Sequence, residues 1–155
     1  MATLKVKIEE SIILDNQNYN SKNTLEVESV ESISKRIINC PANQNTTIAV
    51  FQTAVNTSDS AFDLEDTKYV RVTNLESTNS CNLSLQISAA EDGSPDESTT
   101  IALKAGYSFI IGSLHDGIDT SDANSTILTS LKDLESLIID GGSNTIKIEI
   151  FIAGA

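Results

Sequence analysis

The chain has 155 residues, a formal net charge of −12, 39% apolar residues, 5% aromatic residues and no Trp. The length suits one domain, residues 1–155, with its own hydrophobic core. The acidic balance repels nucleic-acid phosphates and anionic lipid headgroups, so neither nucleic acid nor a membrane is an expected partner.

The rest of the composition is dominated by Ser, Thr and Asn. That bias belongs to β-rich chains with polar loops rather than to helical bundles, which favour Ala, Glu, Lys and Leu. No stretch approaches the roughly 20 apolar residues of a membrane helix. The opening "MATLKVKIEESIILD" carries Lys5, Lys7, Glu9 and Glu10 and lacks the apolar core of a signal peptide, so synthesis in a cytoplasm is expected.

From Thr3 to Glu9, Leu4, Val6 and Ile8 alternate with Lys5, Lys7 and Glu9, the pattern of a half-buried strand. Ile12–Leu14 extends it, and residues 1–14 read as an N-terminal arm or an edge strand. "DNQNYNSKN" is a polar turn. Thr24–Val30 alternates again. "ISKRIINC" continues as strand because its β-branched content is high and no helix cap precedes it, and Pro41 ends it.

"TIAVFQTAV", Thr47–Val55, is apolar on both faces and reads as a central strand. In the following loop Phe62 and Leu64 are candidate core plugs. Val70 and Val72 then share one face, with Tyr69, Arg71 and Thr73 on the other. Leu83, Leu85 and Ile87 face inward on the next strand. The intervening loop is too long for a two-residue turn but suits antiparallel neighbours.

Thr99–Leu103 and Tyr107–Ile111 are two more strands, joined at "KAG", where Gly106 suits a positive-φ corner. Residues 126–133 read as at most one short helix from the spacing of Ile127, Leu128 and Leu131, with a loop or single turn as the alternative, and 134–139 as a strand ending at a Gly-Gly turn. In "TIKIEIFIAGA", Ile146, Ile148, Ile150 and Ile152 take one face, and an interior strand is expected. Eight to ten short strands separated by turn signals predict an all-β fold, a single antiparallel β-sandwich, jelly-roll-like or Ig-like.

Little in the chain suggests catalysis. His115 is the one histidine, in "SLHDGID", and an adjacent His-Asp pair in a polar loop is ordinarily solvated. No serine elbow or phosphate-cradling Gly loop occurs. Cys40 and Cys81 lack metal-ligand spacing and read as buried free thiols. The acidic groups Glu91, Asp92, Asp96, Glu97 and Asp116, Asp119, Asp122 do not match the calcium-loop spacing and read as solvated. No metal and no cofactor is expected. With three Tyr and no Trp, the chain also lacks the usual aromatic platforms for sugars.

"YVRVTNLESTNSCNLSLQI", "IALKAGYSFIIG" and "IEIFIAGA" together resemble small virion proteins of tailed bacteriophages, over Tyr69–Asn74, Leu83–Ile87, Leu103–Phe109 and Ile148–Ala153. The resemblance implies a non-enzymatic structural protein, foremost a capsid decoration or cement protein. Its expected partners are the major capsid protein or other virion proteins, its expected state a homo-oligomer, and its expected location the virion after synthesis in the host cytoplasm. The alternative is a carbohydrate- or receptor-binding module of a tail or fibre. Expected contact residues are Lys5, Lys7, Glu9 and Glu10 on the first strand, which could add to a neighbour's sheet, and Asn74, Glu76, Thr78 and Asn79 in the polar loop.

Overall fold

The computed structural model describes residues 1–53, 61–87, 97–120 and 127–155. Among these, every regular element is a strand: β1 (Ala2–Glu10), β2 (Ile13–Leu14), β3 (Gln17–Asn18), β4 (Ser21–Val30), β5 (Ser32–Cys40), β6 (Asn45–Gln52), β7 (Ala61–Asp63), β8 (Thr67–Asn74), β9 (Cys81–Ile87), β10 (Glu97–Leu103), β11 (Ser108–Ile111), β12 (Leu134–Asp140) and β13 (Ile146–Gly154). The fold is all-β. Its body is a five-stranded sheet, β10-β9-β12-β6-β7, facing a four-stranded sheet, β11-β8-β13-β5.

The alternating apolar residues build the body. Ile146, Ile148, Ile150 and Ile152 of β13 join Val70 and Val72 of β8 against Leu83 and Leu85 of β9 and Leu137 and Ile139 of β12, in one buried cluster. Burying a side chain of this size contributes about 1.5–3 kcal/mol. As expected, β13 is interior, between β8 and β5, and β6 lies between β12 and β7. Leu64 is buried and Phe62 packs on the core, so both act as plugs. The two cysteines are free and buried.

Expected strand neighbours and an expected helix are corrected. Val70/Val72 and Leu83/Leu85/Ile87 do not form a hairpin, because β8 and β9 lie in opposite sheets. The same holds for the strands on either side of Gly106, although Gly106 does take φ +75° at that corner. The two valines and three β9 residues all point inward, as the alternation requires, but from opposite sides of the core.

Residues 127–133 of the expected helix are extended or bent; residue 126 lies outside the described residues. Ile127 and Leu131 are exposed, so no helical face is buried there. Instead Ile118 and Lys132 form a bridge, and Leu134 N–H donates to Leu114 C=O. The sheets are antiparallel, as expected, apart from the short pair β6 and β7, which run parallel.

The first thirty residues stand apart. Among the described residues β1 pairs with β4 alone, as a separate two-stranded sheet, and β2 pairs with β3 at its tip. Residues 1–14, expected as an N-terminal arm or edge strand, thus form one side of this hairpin. At the tip, Asp15 and Asn16 have φ of +50° and +61° and link Leu14 to Gln17. Two successive positive φ values are the type I′ geometry whose twist matches paired strands, and Asp and Asn tolerate it.

Candidate functional site: an uncovered hairpin beside an open sheet face

The outer face of the four-stranded sheet carries Tyr69, Arg71 and Thr73 from β8, Lys147, Glu149, Phe151 and Ala153 from β13, and Ile33, Lys35 and Ile37 from β5. The register sets Ile33 beside Ala153, Lys35 beside Phe151 and Ile37 beside Glu149. The base of the hairpin covers one part of this face. Leu4, Val6 and Val27 pack over Val30, Tyr69, Ala153 and Phe151. Tyr69 and Ala153, which alternation points away from the core, are buried for that reason. Tyr69 also meets the Phe151 ring edge-on at 6.1 Å.

The cover stops there. Every residue from Lys7 to Glu26 is exposed, including Ile8, Ile12, Ile13, Leu14, Tyr19 and Leu25. The tip is nevertheless a defined structure. Ile12 N–H donates to Asn20 Oδ1 at 2.8 Å, Tyr19 N–H to Ile12 C=O at 3.0 Å, and Asn20 N–H to Asn18 Oδ1 at 2.8 Å. On the body, Ile33 and Ile37 of the edge strand β5 are 60% and 61% exposed. Two apolar surfaces, the distal hairpin and the β5 side of the sheet face, thus lie uncovered.

An ionic group lies on the same sheet face. Glu149 accepts from Arg71 at 2.6 Å and from Lys35 at 3.2 Å. The Arg71 hydrogen bond holds its carboxyl below the usual range, against the burial that would raise it.

The expected contact residues divide. Lys5, Lys7, Glu9 and Glu10 are exposed on β1; Lys5 pairs with Glu26 across the hairpin at 2.8 Å and Glu9 with Lys22 at 3.9 Å. Thr78 is exposed and Asn79 partly so. Asn74, in contrast, is fully buried. Its Nδ2 donates to Asn79 C=O at 2.9 Å and Leu103 C=O at 3.1 Å, and its Oδ1 accepts from Glu76 N–H at 3.0 Å. Its backbone also exchanges hydrogen bonds with Tyr107 and Gly106. Asn74 is therefore a clamp that ties two sheet-crossing connections together, and no partner can reach it. Glu76 is likewise engaged, accepting from Lys147 N–H at 3.0 Å.

The sequence reading missed Ile13, Leu14, Ile33 and Ile37 as surface groups. An Asp-Asn pair between short apolar runs was the available signal for the tip turn.

Elsewhere the chemistry is sparse. His115 faces Asp133 through Nδ1 at 2.9 Å and Asp116 through Nε2 at 3.3 Å. These three place candidate ligand atoms within 4.8 Å of one another. Asp133 Oδ1 also accepts Asp116 N–H at 2.7 Å, so hydrogen bonding within the loops accounts for the cluster. Asp116 and Asp119 are not brought together as a carboxylate site. Asp119 turns instead to Thr120 N–H, which lowers its pKa, and to Lys132. Glu91, Asp92, Asp96 and Asp122 lie outside the described residues. A shallow groove of about 340 Å³ on the five-stranded sheet is lined by Asn82, Ser84, Gln86, Thr100 and Asp140 among others, with no aromatic ring.

Burial pushes the Cys81 thiol up to about 11 and raises that of Cys40 as well. Neither is a ready nucleophile near neutral pH.

No family model matches the chain, and no curated protein matches it. A search of solved structures returns a chain from work described as "Bacillus endospore appendages form a novel family of disulfide-linked pili". It is 12% identical, has a TM-score of 0.40, and the match covers 80% of this chain and 87% of that one. The expectation of a bacteriophage capsid decoration protein is corrected by this result. The structure returned comes from work on Bacillus endospore appendages, and no family model, curated protein or returned structure supports the bacteriophage resemblance. The strand and turn pattern behind that resemblance is the common property of small β-sandwiches.

Proposed function

We propose that the chain is a non-catalytic structural module that acts by docking, with the hairpin β1–β4 as its docking arm. One observation carries the reading. Twenty consecutive residues, Lys7 to Glu26, form an ordered hairpin that no other described residue covers, and six of them are large apolar or aromatic side chains.

A two-stranded hairpin is marginally stable on its own in water, and a cluster of exposed apolar groups ordinarily marks a contact surface. The intramolecular packing of its base on a sheet face, through Leu4, Val6 and Val27, supports this reading. Docking of this kind is non-covalent: both thiols are buried and hard to ionise, so they do not supply an intermolecular disulfide.

The test is photo-crosslinking in the cell that makes the protein. A photoreactive residue at Leu14 is expected to give a discrete crosslinked product, while one at Thr100, on the opposite sheet, gives none. Absence of a Leu14 product, or equal products from both positions, would overturn the reading.

A further inference from the structure

We propose that the partner of the hairpin is a second copy of this chain, whose uncovered β5 side of the four-stranded sheet receives the distal hairpin in a head-to-tail contact. This rests on the docking-arm reading above and names its partner.

Two features of the molecule support it. The first is continuity of pattern. Leu4, Val6 and Ile8 alternate along one strand, and the register sets Val6 beside Leu25 and Leu4 beside Val27. The inner members of this stripe sit on Tyr69, Phe151 and Ala153 of the chain's own sheet. The outer members, Ile8 and Leu25, are exposed, 46% and 49%. On the same sheet face, one strand over from Phe151 and Ala153, Ile33 and Ile37 are exposed in turn. The molecule thus carries an unfilled half of each side of a contact it already makes internally.

The second feature is charge. Between Ile8 and Ser21 the hairpin carries Glu9, Glu10 and Asp15 and no Lys or Arg. The receiving face is the reverse. Lys35, Arg71 and Lys147 stand on it against one acid, Glu149, in a chain whose net charge is −12. Lys35 is 59% exposed even while paired with Glu149. An acidic, apolar tip therefore meets a basic, apolar face, and opposite potentials favour this register over tip-to-tip contact.

Tip and face are different patches, so the contact is heterologous. Such a contact propagates into a chain or closes into a ring.

The experiment uses the full chain. Light scattering after gel filtration should give the wild type masses that rise with concentration above the 16.6 kDa monomer. A tip variant, Ile13→Asp with Leu14→Asp, and a face variant, Ile33→Glu with Ile37→Glu, should each stay monomeric. All four positions are exposed, and circular dichroism checks that both variants fold. Mixing the two should give a 1:1 dimer and nothing larger, because each mixture retains one intact tip and one intact face.

Assembly by either variant alone would overturn the proposal. So would a mixture that stays monomeric. A wild type that remains monomeric at its solubility limit while Leu14 crosslinks to a different protein in the cell sinks this inference and leaves the docking arm standing. A monomer with no crosslink sinks both.

Discussion

The sandwich body and the hairpin are built from the same alternating strands, yet they differ in what covers them. In the body, Ile146, Ile148, Ile150 and Ile152 alternate into a core closed on both sides by sheet. In the hairpin, the same alternation at Leu4, Val6 and Ile8 is covered at one end and open at the other. Alternation therefore marks a side that is to be buried without naming what buries it. In the body the answer is the chain itself. In the distal hairpin the answer proposed is another molecule.

Substitutions at matched positions should separate the two regions sharply. Ile148→Ala, in the core, is expected to cost about 3 kcal/mol of unfolding free energy, the usual loss for a buried aliphatic truncation. Denaturant titration measures it, and a loss below about 1 kcal/mol would show that the core is looser than described.

Asn74→Ala comes next, at about 2 kcal/mol, because it strands the carbonyls of Asn79 and Leu103 and the Glu76 amide. The same titration checks it. A neutral result would mean that the two sheet-crossing connections do not depend on this clamp.

Glu149→Gln should cost less, up to about 1 kcal/mol, since its Lys35 partner is largely exposed. Its pH dependence is more telling than its size. The Glu149 pKa is lowered in the folded state from an ordinary 4.5, so its contribution is fully present above that value. It is lost as the pH falls below 4.5 through the lowered folded value. Melting curves of the wild type should therefore lose an increment over that acid range, and the Glu149→Gln curve should lack it.

Ile13→Ser in the hairpin should change monomer stability by less than about 0.5 kcal/mol, as exposed positions usually do. Its effect belongs to association, not to folding. A Tm shift comparable to that of Ile148→Ala would mean that the hairpin is part of the body after all. Thiol labelling sharpens the same contrast. Native Cys40 and Cys81 should react with a thiol reagent only at the rate of opening, and promptly once the chain is denatured.

Much of the molecule was legible in the sequence. The all-β class followed from period-two alternation, the interior place of β13 from its isoleucines, the plugs from Phe62 and Leu64, and the corner at Gly106 from its freedom at positive φ. The errors share a cause. Alternation says which side of a strand is buried and says nothing about which sheet the strand joins. Val70 and Leu83 therefore looked like neighbours in one sheet, while they meet across the core. The expected helix over 126–133 failed similarly, because apolar spacing there had no surface to pack on and Ile127 stays exposed.

The candidate site was half visible. The charged residues of β1 stood out at once, and they are exposed. Asn74 looked like a loop contact because nothing local shows that Leu103, 29 residues onward, would draw it inward.

The sequence by itself determined the all-β class, the apolar side of nearly every strand and the acidic balance, because these depend on residue type and on spacing along the chain. Only the tertiary structure decided which strands face one another, that Asn74 is a clamp, and where burial stops: over Tyr69 and Ala153 it is complete, and from Lys7 to Glu26 it is absent. Those properties depend on contacts between segments far apart in sequence, and local periodicity carries no record of them.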